Sequence, residues 1–105
     1  MLTQTIAVDF GPVGVRANAI LPAWTRTPMA DQSMDALAAA RGTDREAAYR
    51  EANLAVPSRR AAEADEVAAL AVWLASPEAG ALNGAAIPAD GGAGLVDAAM
   101  LAFGR

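Results

Sequence analysis

Two short apolar runs, Val15–Leu21 and Ala85–Ala89, stand on either side of the long, alanine-rich and mostly helical stretch 22–84, and no other feature constrains the fold as much as this order. In the first run only Arg16 and Asn18 interrupt Val15, Ala17, Ala19, Ile20 and Leu21. That is the pattern of a strand covered on both faces, not the strict alternation of a half-exposed one. Two such strands joined by a long helical connection make a βαβ unit with parallel strands, and each face of the unit requires helices. Two strands cannot meet that requirement alone. The expectation is an α/β fold in which residues 1–105 form a single partial domain that completes a larger, doubly wound parallel sheet.

The remaining elements follow from spacing and breakers. Leu2, Ile6 and Phe10 recur at helical intervals until Gly11-Pro12, so 2–10 reads as the last stretch of a helix. No capping residue precedes Leu2, which implies that Met1 lies inside a longer helix. Pro22 ends the first strand, and 23–29 is a loop built on Thr25, Thr27 and Pro28. Thr43-Asp44-Arg45-Glu46 matches a capping box ahead of a helix with Ala47, Ala48, Tyr49 and Leu54. Val67, Leu70, Ala71 and Leu74 give an amphipathic helix that starts among Glu63, Asp65 and Glu66 and stops at Ser76-Pro77. Asn83-Gly84 and Asp90-Gly91-Gly92 are turns around the second strand, before a tail with Leu95, Val96, Met100, Leu101 and Phe103. This makes two strands and about three to four helices, with no repeat, linker or second domain.

Composition then removes most chemistries. The chain has no cysteine and no histidine, and all eight of its basic residues are arginine. Thiolate and imidazole nucleophiles, the metal sites those side chains build, lysine Schiff bases and the lysine of a phosphate-binding loop are therefore excluded. Eight arginines against twelve acidic residues give a net charge of −4, and no stretch interleaves arginine with aromatics, so no nucleic-acid partner is expected. No continuous apolar run reaches the roughly 18 residues that cross a bilayer, and no leader pattern opens the chain, so the expectation is a cytoplasmic protein without a membrane partner. Asp65-Glu66 reads as a solvated first turn because adjacent helical residues point apart, and Arg59-Arg60 reads as solvated surface. Gly91-Gly92-Ala93-Gly94 is no dinucleotide fingerprint, since it follows the second strand and Asp97 stands where a third glycine or alanine is required.

The chain resembles the C-terminal part of a short-chain dehydrogenase/reductase. The resemblance rests on the acidic-Phe-Gly-Pro-x-Gly-Val-Arg approach at 9–16, Asn18-Ala-Ile-Leu-Pro22, Thr27, Asp65-Glu66-Val67-Ala68, Leu74-Ala75-Ser76, Asn83-Gly84 and Asp90-Gly91-Gly92. Each is weak singly; together, in this order and at these spacings, they are specific. The resemblance implies a Rossmann fold in which 2–10 ends the helix carrying the family's catalytic Tyr-x-x-x-Lys and 15–21 is the sixth strand. It further implies that 30–56 is a substrate-covering lobe insert and 85–89 the seventh strand. The loop after the sixth strand would lie against the nicotinamide end of NAD or NADP. Carried over singly, Pro22 turns the chain and Ala23 stands where glycine is usual, its Cβ tightening the approach to the ligand. Trp24 walls the nicotinamide side, Thr25 replaces the usual Ile or Val, and Thr27 donates a hydroxyl hydrogen bond. From the residues alone, Thr25 and Thr27 read first as turn hydroxyls that satisfy local backbone groups, and Trp24 as a packing aromatic; the resemblance reverses this for Thr27 but not for Thr25.

No catalytic residue is expected in this chain: Tyr49 is the only tyrosine, Asn53 stands four residues later, and there is no lysine to depress a phenol's pKa. The implied function is the C-terminal portion of an NAD(P)-dependent oxidoreductase for an alcohol or carbonyl substrate, not catalytic alone. Its partners would be the nicotinamide cofactor, a small-molecule substrate and further copies of itself, through 64–75 and 85–89. The alternatives are a non-catalytic oligomerisation or interaction module and a product that does not fold stably. Neither the substrate nor the choice between NAD and NADP is legible.

Overall fold

A computed structural model describes residues 1–96. In chain order it contains α1 (Leu2–Phe10), β1 (Ala19–Pro22), β2 (Thr25–Arg26), α2 (Pro28–Arg41), α3 (Arg45–Ala52), β3 (Ala62–Glu63), α4 (Ala64–Ala75) and β4 (Ala86–Ala89), with short 3-10 turns after α1, α4 and β4. Met100, Leu101 and Phe103 of the expected tail lie outside the described residues. The two expected strands pair in parallel, with Ala19 opposite Ala86 and Pro22 opposite Ala89.

The first strand is shorter than its apolar run. Ahead of Ala19, side-chain amides take over the ladder: Asn83 Oδ1 accepts from the Ala17 N–H at 3.0 Å. Asn18 Oδ1 accepts from the Ala85 N–H at 3.0 Å while its Nδ2 donates to the Leu82 carbonyl at 3.0 Å. The two polar residues that seemed to interrupt the strand thus have separate tasks. Arg16 turns away and donates to the carbonyls of Leu74 (2.8 Å), Ser76 (3.2 Å), Ala79 (3.1 Å) and Leu82 (3.3 Å). It closes the carbonyl end of α4, where the helix leaves acceptors unsatisfied and its dipole favours a cation.

The principal core is in the helical pair α2–α3. Met34, Ala30 and Ala38 of α2 meet Ala48 and Tyr49 of α3, with Ala61 beside them. The alanines bring the two helices close, and Met34 and Tyr49 fill what remains. Each helix is capped by a side chain: Thr27 Oγ1 accepts from the Ala30 N–H, and Asp44 Oδ1 from the Ala47 N–H. The cap of α3 is therefore Asp44 rather than Thr43, one residue later than the Thr-x-x-Glu pattern implies, because a carboxylate is at least as good an acceptor there. A capping box does form on α4, between Glu63 and Glu66.

The strand pair lacks the cover its sequence pattern calls for. Leu21 is 47% exposed, and Leu2 and Val8 of α1 and Val72 of α4 also face outward. The radius of gyration is 17.1 Å, against about 13 Å for a compact chain of this length. After β4 the chain turns tightly at Gly91 and Gly92, both with positive φ (62° and 92°). A Cβ on either would lie 2.9 Å from Val56 or Pro57, so glycine is required there by conformation and by space.

Candidate functional site

A cavity of about 380 Å³ opens where β1 ends, at the carboxyl end of the parallel pair, which is where open α/β sheets receive ligands. Pro22, Ala23, Trp24, Thr25 and Thr27 all line it, joined by Met29, Ala30 and Ser33. The five residues singled out from sequence are thus brought to one place. The last three lie in the first turns of α2, and the signal that would have found them is Thr27-Pro28, a capping residue followed by a first-turn proline that starts the helix at once.

The two hydroxyls differ in what remains free. Thr25 Oγ1 donates to the Ala23 carbonyl at 3.1 Å, so its hydrogen is already engaged and only its lone pairs face the cavity. Thr27 Oγ1 accepts from the Ala30 N–H at 3.1 Å, which leaves its hydrogen for an acceptor. Turn chemistry and ligand contact are therefore compatible at Thr27. The expected loop 23–29 is more structured than its composition implies: Thr25 and Arg26 form β2, which pairs in parallel with Ala62 and Glu63. The Ala62 N–H adds a hydrogen bond to the Trp24 carbonyl at 3.0 Å. Two-residue strands leave no periodicity to read.

Between Thr25 and Thr27, Arg26 makes a two-point pair with Glu46 of α3 at 2.9 and 2.7 Å. It also approaches Glu63 at 3.7 Å and stacks over the Tyr49 ring at 4.1 Å. The Glu46 carboxyl is held below its ordinary range, chiefly by that hydrogen-bonded pair. Tyr49 is 3% exposed and donates its hydroxyl to Asp31 at 2.7 Å. Burial, reinforced by the bond to Asp31, pushes its phenol up to about 12. The Tyr49 hydroxyl is thus engaged by a carboxylate of α2 while its ring packs in the α2–α3 core.

A second cavity of about 300 Å³, between β4 and α4, presents Ser58, Arg60, Glu66 and Asp90. Its charges are already matched. Arg60 donates to both oxygens of Glu66, at 2.6 and 2.9 Å, and Asp90 accepts the N–H groups of Gly92 and Gly94 at 3.0 Å each. Glu66 is held down to about 2 by Arg60 and by the Glu63 N–H. Asp65, Glu66, Arg59 and Arg60 are all exposed, as read from sequence, and three of them are paired as well: Glu66 and Arg60 staple the start of α4, and Arg59 donates to the carbonyls of Leu54 and Val56.

Residues 1–94 match the family described as Enoyl-(Acyl carrier protein) reductase. Protein MoaE of Klebsiella aerogenes is 47% identical over 102 residues, which cover 97% of this chain and 40% of that protein. A short chain dehydrogenase family protein from Francisella tularensis subsp. tularensis SCHU S4 superposes with a TM-score of 0.85 at 25% identity, over 90% of this chain and 39% of its own. The L-sorbose reductase from Gluconobacter frateurii, whose crystal structure is a complex with NADPH and L-sorbose, gives a TM-score of 0.81 at 27% identity, over 87% of this chain and 35% of its own. The chain thus spans 35% to 40% of the length of these three relatives. With one family matched along nearly its whole length and the α/β architecture matched in solved members, the chain belongs to the short-chain dehydrogenase/reductase family.

Proposed function

We propose that this chain forms the nicotinamide-facing part of an NAD(P)-dependent oxidoreductase acting on an alcohol or carbonyl, and that it does not catalyse hydride transfer alone. The observation that carries this reading is the convergence of Pro22, Ala23, Trp24, Thr25 and Thr27 on one cavity, with the Thr27 hydroxyl hydrogen free. These residues suit a nicotinamide. Pro22 and Trp24 offer apolar surface to a flat ring, and Thr27 offers a donor to a carboxamide oxygen. Ala23 adds its Cβ to the same wall, where the ring would meet a methyl group in place of bare backbone. The bound cofactor supplies the hydride chemistry; this chain's own residues orient it and exclude water. The proton-transferring Tyr-x-x-x-Lys pair of the family has no counterpart among these 105 residues, which contain no lysine.

The purified chain is expected to show no NADH oxidation with carbonyl substrates, yet to bind NADH or NADPH detectably by nicotinamide fluorescence. Thr27→Ser should keep that binding. Thr27→Asp caps the helix as well but has no hydrogen to donate, and should weaken binding by roughly tenfold, the worth of one hydrogen bond. Turnover by the chain alone would overturn the missing acid/base argument, and equal binding by Thr27→Asp would overturn the role given to Thr27.

A second reading, a non-catalytic association module, draws support from α4, where Val72 is 72% and Trp73 43% exposed. It requires assembly that grows with protein concentration.

A further inference from the structure

We propose that Arg26 is the positioning residue of the Trp24–Thr27 rim, fastening it at once to α3 and to the start of α4. This rests on the reading of that rim as the wall of a nicotinamide site. Alternation along the extended stretch formed by β2 and the α2 cap Thr27 divides the labour: Thr25 and Thr27 line the cavity, and the side chain between them goes to the α2–α3 side. There it meets partners from three places, namely Glu46 on α3, Glu63 at the cap of α4 and the ring of Tyr49 in the core.

The main chain alone gives the rim little hold. β2 and β3 are two residues each, and short pairs of this kind are marginal without side-chain support. A planar guanidinium bound at two points by one carboxylate fixes direction as well as distance, which a lysine ammonium cannot do. Arg26 therefore sets where Trp24 and Thr27 stand relative to the helices above them, and ties the cofactor-facing wall to the helical pair. Arg26 thus adds a direct tie between the rim and α3, beside the one that runs from Thr27 through α2.

The test uses amide hydrogen exchange on the 105-residue chain. Its reporter is the Ala62 N–H, which is bonded to the Trp24 carbonyl. Arg26→Met and Glu46→Gln should each speed exchange at Ala62 on the order of tenfold, Arg26→Lys should not restore it, and the double variant should be no faster than the faster single one. The control is Arg41→Met, which removes another α2–α3 ion pair, to Glu51 at 3.0 Å, at the end of α2 remote from Thr27. It should leave Ala62 unchanged. No acceleration in Arg26→Met, or equal acceleration in Arg41→Met, would overturn the proposal. NADH titration of the same variants reports separately: weaker binding in Arg26→Met but not in Arg41→Met supports it. A wild-type chain indifferent to NADH and NADPH would instead overturn the cofactor reading, and Ala62 exchange would still decide the role of Arg26.

Discussion

Tyr49 and Thr27 show how far a residue's role depends on what its hydroxyl has already been given to. The Tyr49 hydroxyl is spent on Asp31 in a nearly closed site, while the Thr27 hydroxyl accepts from the backbone and keeps its hydrogen. The Tyr49 phenol should titrate, by its ultraviolet absorbance change, well above the ordinary value near 10 and close to about 12. Because the folded state holds the proton more tightly than the unfolded state, this group favours folding below pH 10, and its contribution is lost as pH rises from about 10 to about 12. A midpoint near 10 would mean that the Asp31 contact and the burial are absent in solution. The absence of lysine argues from sequence against an acid/base role for Tyr49, but its partner Asp31 lies 18 residues back, a distance no local pattern spans. Arg26 escaped notice for the same reason: in sequence it is one charged residue among threonines, and its meaning comes from Glu46, Glu63 and Tyr49, which the fold brings to it.

Elements were legible where one periodicity ran between clear breakers. α1 stops at Gly11-Pro12, and α4 starts among acidic residues and stops before Pro77, both as the spacing implies. The apolar run 15–21 overstates β1 at its start, because Arg16 and Asn18 are hydrogen-bonding residues that precede the strand and not polar interruptions within it. Arg16 is where this can be tested. It donates to four carbonyls around the end of α4, so Arg16→Ala should destabilise the chain in a denaturant titration by on the order of 2 kcal/mol, the range for hydrogen bonds from a charged donor. Arg16→Lys should recover only part of that, since an ammonium cannot span the fork's acceptors. A change below about 0.5 kcal/mol for Arg16→Ala would place the side chain in solvent instead.

At the scale of the whole molecule, the apolar pattern of the strands and their exposure in the fold belong to one observation. β1 and β4 carry the composition of an interior sheet, yet the buried core is in the α2–α3 pair and the strand faces are open. The α/β class and the parallel pairing could be read from strand order because a long helical connection allows little else. The lack of cover followed from the same pattern, since two doubly covered strands with the helices between them cannot close both faces of a sheet. The cavity at the end of β1 was legible only through resemblance: the residues alone favour turn chemistry for Thr25 and Thr27 and packing for Trp24, and geometry brings them together with Met29 and Ser33.

The measurement that tests the central claim most directly is a thermal melt of the 105-residue chain by circular dichroism, at two protein concentrations, each with and without excess NADH and NADPH. The account predicts a cooperative transition whose midpoint rises with at least one of the cofactors, because a ligand that binds only the folded state stabilises it by mass action. A midpoint that rises with protein concentration as well would support association through the exposed face of α4. A transition indifferent to both cofactors would contradict the assignment of the Pro22–Thr27 wall to a nicotinamide.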